Sequence, residues 1–194
     1  MIKKVLFLSL IFFIITTKLI AIEPDVFVQS TVNRASKLLS ENTTKEKKIE
    51  ELKLIAKDTV DIKGIGFYTL GSKRKTLNKD QKLMYSKLFE EYFLKSFSSR
   101  LAEYTNPEIN VFNKEKLNEN YTIVNSTLKA TDERPEIKID WRIYTKNPDK
   151  PLIRDLIIEG LSLARTQKEE FSSVLQSNDG DINALFKTLE EFVK

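Results

Sequence analysis

The hydrophobic pattern of this chain changes period at Pro107 and changes back near Gln167, and that double switch limits the fold more than any other feature. Residues 25–39 place Val28, Val32, Ala35, Leu38 and Leu39 at helical spacing. Residues 45–60 do the same with Ile49, Leu52, Ile55, Ala56 and Val60. Both predict amphipathic helices. Gly64, Gly66 and Gly71 mark residues 61–76 as a turn region. Residues 79–104 predict a long helix, opened by Asn78 with Gln81 three positions on, the pattern of a capping box. After Pro107 the period is two. Ile137, Ile139, Trp141 and Ile143 alternate with Lys138, Asp140, Arg142 and Tyr144, as in a half-buried antiparallel strand. Residues 121–130 are its expected partner, Asn147-Pro148-Asp149-Lys150 a turn, and residues 152–163 a third strand. Helices return at 167–176 and 181–193, the last with Ile182, Leu185, Phe186, Leu189 and Phe192 in one stripe. Helices, an antiparallel sheet, then helices make the fold class α+β.

The first 21 residues carry a different signal. Lys3 and Lys4 precede an apolar run from Val5 to Ile15 that only Ser9 breaks, and Leu19-Ile20-Ala21 ends it on a small residue. This is the pattern of a cleavable secretory signal. The other reading, a membrane anchor, needs ~20 apolar residues, and this run stops at Thr16-Thr17-Lys18. Cleavage leaves residues 22–194 as one exported domain. It also removes three lysines and no acid, which leaves 29 basic against 28 acidic residues. That balance is not one that binds nucleic acid.

The chain has no Cys and no His. Disulfides, thiolate nucleophiles, lipidation of a Cys after the signal, imidazole bases and His-ligated metals are thereby excluded. No metal or cofactor is expected. Gly66 to Lys73 has the glycines of a phosphate loop, but Ser72-Lys73 reverses the required Lys-Ser/Thr order. Glu90-Glu91, Glu169-Glu170 and Glu190-Glu191 are neighbours on helices and diverge by about 100°. Asn178-Asp179-Gly180-Asp181 reads as a turn with Asp181 as N-cap. Asp155 and Glu159, four apart on the expected third strand, are the one carboxylate pair spaced for an exported hydrolase's acid and base.

The long helix is too apolar for one interface. Tyr85, Phe89, Phe93, Phe97 and Tyr104 cover one flank, Leu83, Leu94 and Leu101 another, with Met84, Leu88 and Tyr92 between. Lys87, Glu91 and Lys95 leave only a narrow charged strip. Such a helix buries more than one side. A filled core and a lipid cavity recruit the same side chains, so the pattern fits either.

Several segments in order resemble the MlaC family, the periplasmic phospholipid-transport (toluene-tolerance) proteins of Gram-negative bacteria. They are Phe67-Tyr68-Thr69-Leu70-Gly71, Asn78-Lys79-Asp80-Gln81, Ile139-Asp140-Trp141-Arg142-Ile143, and Asp155-Leu156-Ile157-Ile158-Glu159-Gly160-Leu161-Ser162-Leu163, followed by Phe171 and the terminal helix. The family's Trp-Lys-aromatic-aromatic before the Asp is replaced here by Pro151-Leu152-Ile153-Arg154. The resemblance implies a curved antiparallel sheet, cystatin-like or nuclear-transport-factor-2-like, packed by helices over an apolar cavity. It implies a periplasmic, non-catalytic, monomeric carrier of phospholipid, working between an outer-membrane lipoprotein and an inner-membrane ABC transporter complex. On that reading the expected lipid-binding wall is Met84, Phe89, Phe93 and Phe97 from the long helix, Ile139, Trp141 and Ile143 from one strand, and Leu156 and Ile158 from the next. The rival readings are a protein-docking module of the same fold without a cavity, and the hydrolase on Asp155 and Glu159.

Overall fold

A computed structural model describes residues 21–132 and 134–194. The expected export signal falls on residues 1–21 and so, apart from Ala21, lies outside the described residues. Six helices and a five-stranded sheet follow in the order α1 (Pro24–Ser40), α2 (Lys45–Thr59), α3 (Ile62–Thr69), a 3-10 turn (Gly71–Lys75), α4 (Lys79–Leu101), β1 (Ile109–Asn118), β2 (Tyr121–Leu128), β3 (Ile137–Tyr144), β4 (Leu152–Ile158), β5 (Leu161–Ser162), α5 (Leu163–Gln176) and α6 (Ile182–Val193). The sheet runs β1-β2-β3-β4-β5 with every neighbour antiparallel. The α+β class read from the sequence holds.

The inner face of the sheet follows from alternation. Thr122, Val124, Ser126 and Leu128 on β2 are buried, and so are Ile139, Trp141 and Ile143 on β3. Val124 pairs with Trp141 and Thr122 with Ile143, which puts the buried residues of the two strands side by side. Between β3 and β4 the register slips. Trp141 pairs with Leu156 but Ile143 pairs with Ile153, three residues of β4 against two of β3. This bulge lets Ile153 and Leu156 both sit opposite inward-facing residues.

Three expectations are corrected. Residues 61–76 are not a simple turn region. Asp61 caps α3 by accepting the amide proton of Gly64 at 2.8 Å, and the helix runs to Thr69. Gly66 lies inside that helix because α3 meets α4 there too closely for a side chain. The third strand does not continue to Leu163. Glu159 and Gly160, at φ 50° and 81°, turn the chain back so that Leu161 pairs with Ile158. Ser162 then caps α5, its Oγ accepting from Arg165 N at 3.1 Å. And β1, which the sequence pattern did not mark as a strand, is the longest of the sheet at 10 residues.

The long helix forms as expected. Asn78 Oδ1 accepts from Gln81 N at 2.8 Å and Gln81 Oε1 accepts from Asn78 N at 3.0 Å, completing the capping box. Its main backbone neighbours are α2, α3 and α6. α1 packs on β1 and β2, and α3 and α5 pack on β4. Between α4 and the β3–β4 part of the sheet the chain leaves a gap.

Candidate functional site: an apolar cavity between helix and sheet

The gap is a cavity of about 210 Å³. Phe89, Phe93 and Phe97 of α4 form one wall, spaced by four so that they lie along one face. Phe93 and Phe97 stack with centroids 5.4 Å apart. The opposite wall is Trp141 from β3 with Ile153 and Leu156 from β4. Val60, Ile65, Leu163 and Ala164 close the sides. Phe171 braces the phenyl wall from behind, edge-on to Phe89 at 6.2 Å. The indole of Trp141 needs a partner for its N–H when buried. It donates to Ser126 Oγ at 2.8 Å, and that hydroxyl donates to Ile139 O at 2.9 Å. The polar end of the ring is thus satisfied within the sheet.

Of the residues predicted for the wall, Phe89, Phe93, Phe97, Trp141 and Leu156 line the cavity. Met84 does not: it is 41% exposed. Stepping back by four from Phe89 arrives at Tyr85, and Met84 is displaced from that line by about 100° around the helix. Ile139 and Ile143 share the face of Trp141 but are buried in the core on either side of it. Ile158 lies at the end of β4, paired with Ile139 and Leu161. On β3 only Trp141 reaches the hollow, whereas on β4 the bulge brings both Ile153 and Leu156 to it.

The sequence reading missed the polar members of the lining. Tyr92, Ser96 and Arg100 follow one another at intervals of four on α4, beside the phenyl line. Thr166, Gln167 and Glu170 come from the first turns of α5. The i, i+4 signal of the first trio was present, and Gln167 and Glu170 fell on the expected helix 167–176, but its pattern does not show which face meets the gap. These side chains are linked. Tyr92 Oη donates to Gln167 Oε1 at 2.7 Å, and Gln167 Nε2 donates to Glu170 Oε2 at 2.8 Å. Burial raises the pKa of the Tyr92 phenol, the nearby Glu170 carboxylate adds to the rise, and the hydrogen bond to Gln167 and the charge of Arg100 oppose it.

Asp155 and Glu159 do not meet over a substrate. Asp155 is buried, and its carboxylate accepts from Ser162 Oγ at 2.6 Å, Ala164 N at 3.0 Å and Arg142 Nη1 at 3.5 Å. It fastens the first turn of α5 to β4. Glu159 is exposed in the hairpin, and its carboxylate accepts from Lys138 N. Among the described residues no group of carboxylates is placed to hold a metal ion, and no helix is long and apolar enough to cross a membrane.

The model of the MlaC protein family matches residues 29–191, nearly all of the described chain. The chain belongs to the MlaC family. Among solved structures, this member resembles the phospholipid-binding protein of Ralstonia solanacearum, solved in complex with a phospholipid at 1.53 Å. The TM-score is 0.74 at 17% identity, over 89% of this chain and 97% of that one, which establishes a common fold. A comparison with curated proteins finds no match. This MlaC-family chain therefore shares with that protein an architecture of helices packed on an antiparallel sheet.

Proposed function

We propose that this chain is a periplasmic phospholipid carrier that shelters acyl chains while its cargo moves between outer membrane and an inner-membrane ABC transporter complex, with an outer-membrane lipoprotein as the second partner. The observation that carries this reading is the cavity walled by Phe89, Phe93, Phe97, Trp141 and Leu156, in a family and fold whose Ralstonia relative holds a phospholipid. These side chains offer contact and no chemistry. Each methylene left in water costs ~0.8 kcal/mol, so two chains of ~15 methylenes cost on the order of 24 kcal/mol. An oily enclosure nearly cancels that cost, which makes transfer close to neutral. Direction then has to come from a partner that spends nucleotide.

The hollow of about 210 Å³ is small for this task. Pockets that hold drug-sized ligands run from ~300 to ~1,000 Å³. Loading a whole lipid therefore separates α4 from β3 and β4, with the partly exposed Phe93 and Phe97 following the cargo. The test is mass spectrometry of organic extracts of the purified protein, and of protein incubated with vesicles of phosphatidylethanolamine and phosphatidylglycerol. Bound phospholipid is expected in both. Protein that is lipid-free and takes nothing from the vesicles overturns the reading.

A further inference from the structure

Three charged residues line the cavity: Arg100, Asp155 and Glu170. Asp155 is buried and committed to Ser162, Ala164 and Arg142. Arg100 and Glu170 are different. Both are exposed, on α4 and α5, and the lining residues deeper in, such as Phe89, Trp141 and Ile153, are buried. The two charges therefore stand at the mouth. Both act on the Tyr92 hydroxyl, in opposite senses, so both lie within electrostatic reach of one point on the rim. Among the described residues Arg100 makes no ion pair, and Glu170 accepts only the neutral amide of Gln167. Ser96 and Thr166 add hydroxyls beside them.

We propose that this mouth is a head-group site selecting a zwitterionic phospholipid, with Arg100 facing the phosphate and Glu170 facing the ammonium. The proposal rests on the carrier reading. An apolar interior cannot take an ionised phosphate without a large desolvation cost, so the polar end of any lipid stays at the rim. There a head with both charges finds both complements. A head that is only anionic meets the Glu170 carboxylate with no cation of its own to offset the repulsion.

The test loads the full protein from vesicles of equimolar phosphatidylethanolamine and phosphatidylglycerol with matched acyl chains, then measures the bound ratio by mass spectrometry. The expected preference is about threefold for phosphatidylethanolamine, the size of one exposed ion pair. Glu170→Gln brings the ratio to about one by admitting more phosphatidylglycerol. Arg100→Gln lowers retention of both by about threefold. Diacylglycerol, which has no charged head, is retained equally by all three proteins, which separates head-group contact from damage to the cavity. Lipid bound at a ratio of one by all three proteins, or a preference for phosphatidylglycerol, overturns this inference and leaves the carrier reading standing. Wild-type protein that takes up no phospholipid overturns both.

Discussion

Gly66 lies so close to Phe89 that a Cβ built on it stands 2.7 Å from the Cδ1 atom of the ring. The contact sets how tightly α3 seats against α4, and through Phe89 it sets the inner end of the cavity. Phe89 is only 2% exposed, so its ring has little room to yield. Gly66→Ala should lower stability by about 1–2 kcal/mol, because overpacking outweighs the gain of about 1 kcal/mol that Ala brings to a helix interior. Thermal unfolding followed by circular dichroism should show a Tm lower by about 3–6 °C. An unchanged or higher Tm would mean that the ring moves freely.

Trp141 is the only tryptophan of the sequence and it lines the cavity. Its fluorescence therefore reports on cargo without labelling. Vesicles whose phospholipids carry brominated acyl chains should quench the emission by more than half on loading, and unbrominated lipids should not. Loaded protein with unquenched emission would place the chains elsewhere.

Ser96 is the small residue of the lining on α4, one turn from both Tyr92 and Arg100. Ser96→Phe should fill part of the hollow. A phenyl ring displaces about three methylenes of cargo, each worth ~0.8 kcal/mol, so lipid affinity should fall by tens of fold. Because Ser96 faces the hollow rather than a packed neighbour, Tm should hold or rise. A fall in both affinity and Tm would point instead to general disruption.

Tyr85 is fully buried, shares a hydrogen bond of 2.8 Å with Thr69 Oγ1 and donates to Gly66 O at 3.1 Å. Burial pushes its phenol well above the ordinary value of 10.0. A group with a raised folded pKa contributes stability that is intact below its unfolded pKa and is lost as pH rises through the folded one. Urea unfolding should therefore show stability falling above about pH 10. Tyr85→Phe should cost about 1–2 kcal/mol at pH 7 through the lost hydrogen bonds, yet show a shallower alkaline decline. Tyr92, raised for the same first cause, keeps some decline in the variant.

What the sequence revealed, and what it hid, follows from where periodicity meets packing. Alternation marked β3 because every second residue from Ile139 to Ile143 is buried, and the β2 residues opposite follow suit. β1 escaped because it is an edge strand with exposed Phe112 and Leu117 and two register breaks, so no two-residue rhythm survives. α3 escaped because glycine ordinarily signals a break, whereas Gly66 serves a close approach. For the cavity, the four-residue spacing gave the phenyl wall on α4. Which rungs of β3 and β4 face the hollow depends on how near the helices come, and Ile139 and Ile143 carry the same pattern as Trp141. The charged mouth was hidden because Arg100 and Glu170 sit on separate helices, and periodicity along each does not show which faces meet across the gap.

Asp155 holds Ser162 and Ala164 against the strand from which it projects. The sheet side of the cavity and its α5 side are thereby riveted into a single jaw, joined by a hairpin of two turn residues and clamped by a buried carboxylate. α4 meets that jaw through side-chain packing and one side-chain hydrogen bond, Tyr92 to Gln167. Extra room for a long guest has to be found by lifting that helix, so the seam along Phe93, Phe97 and Leu163 is the line along which such a vessel would unseal.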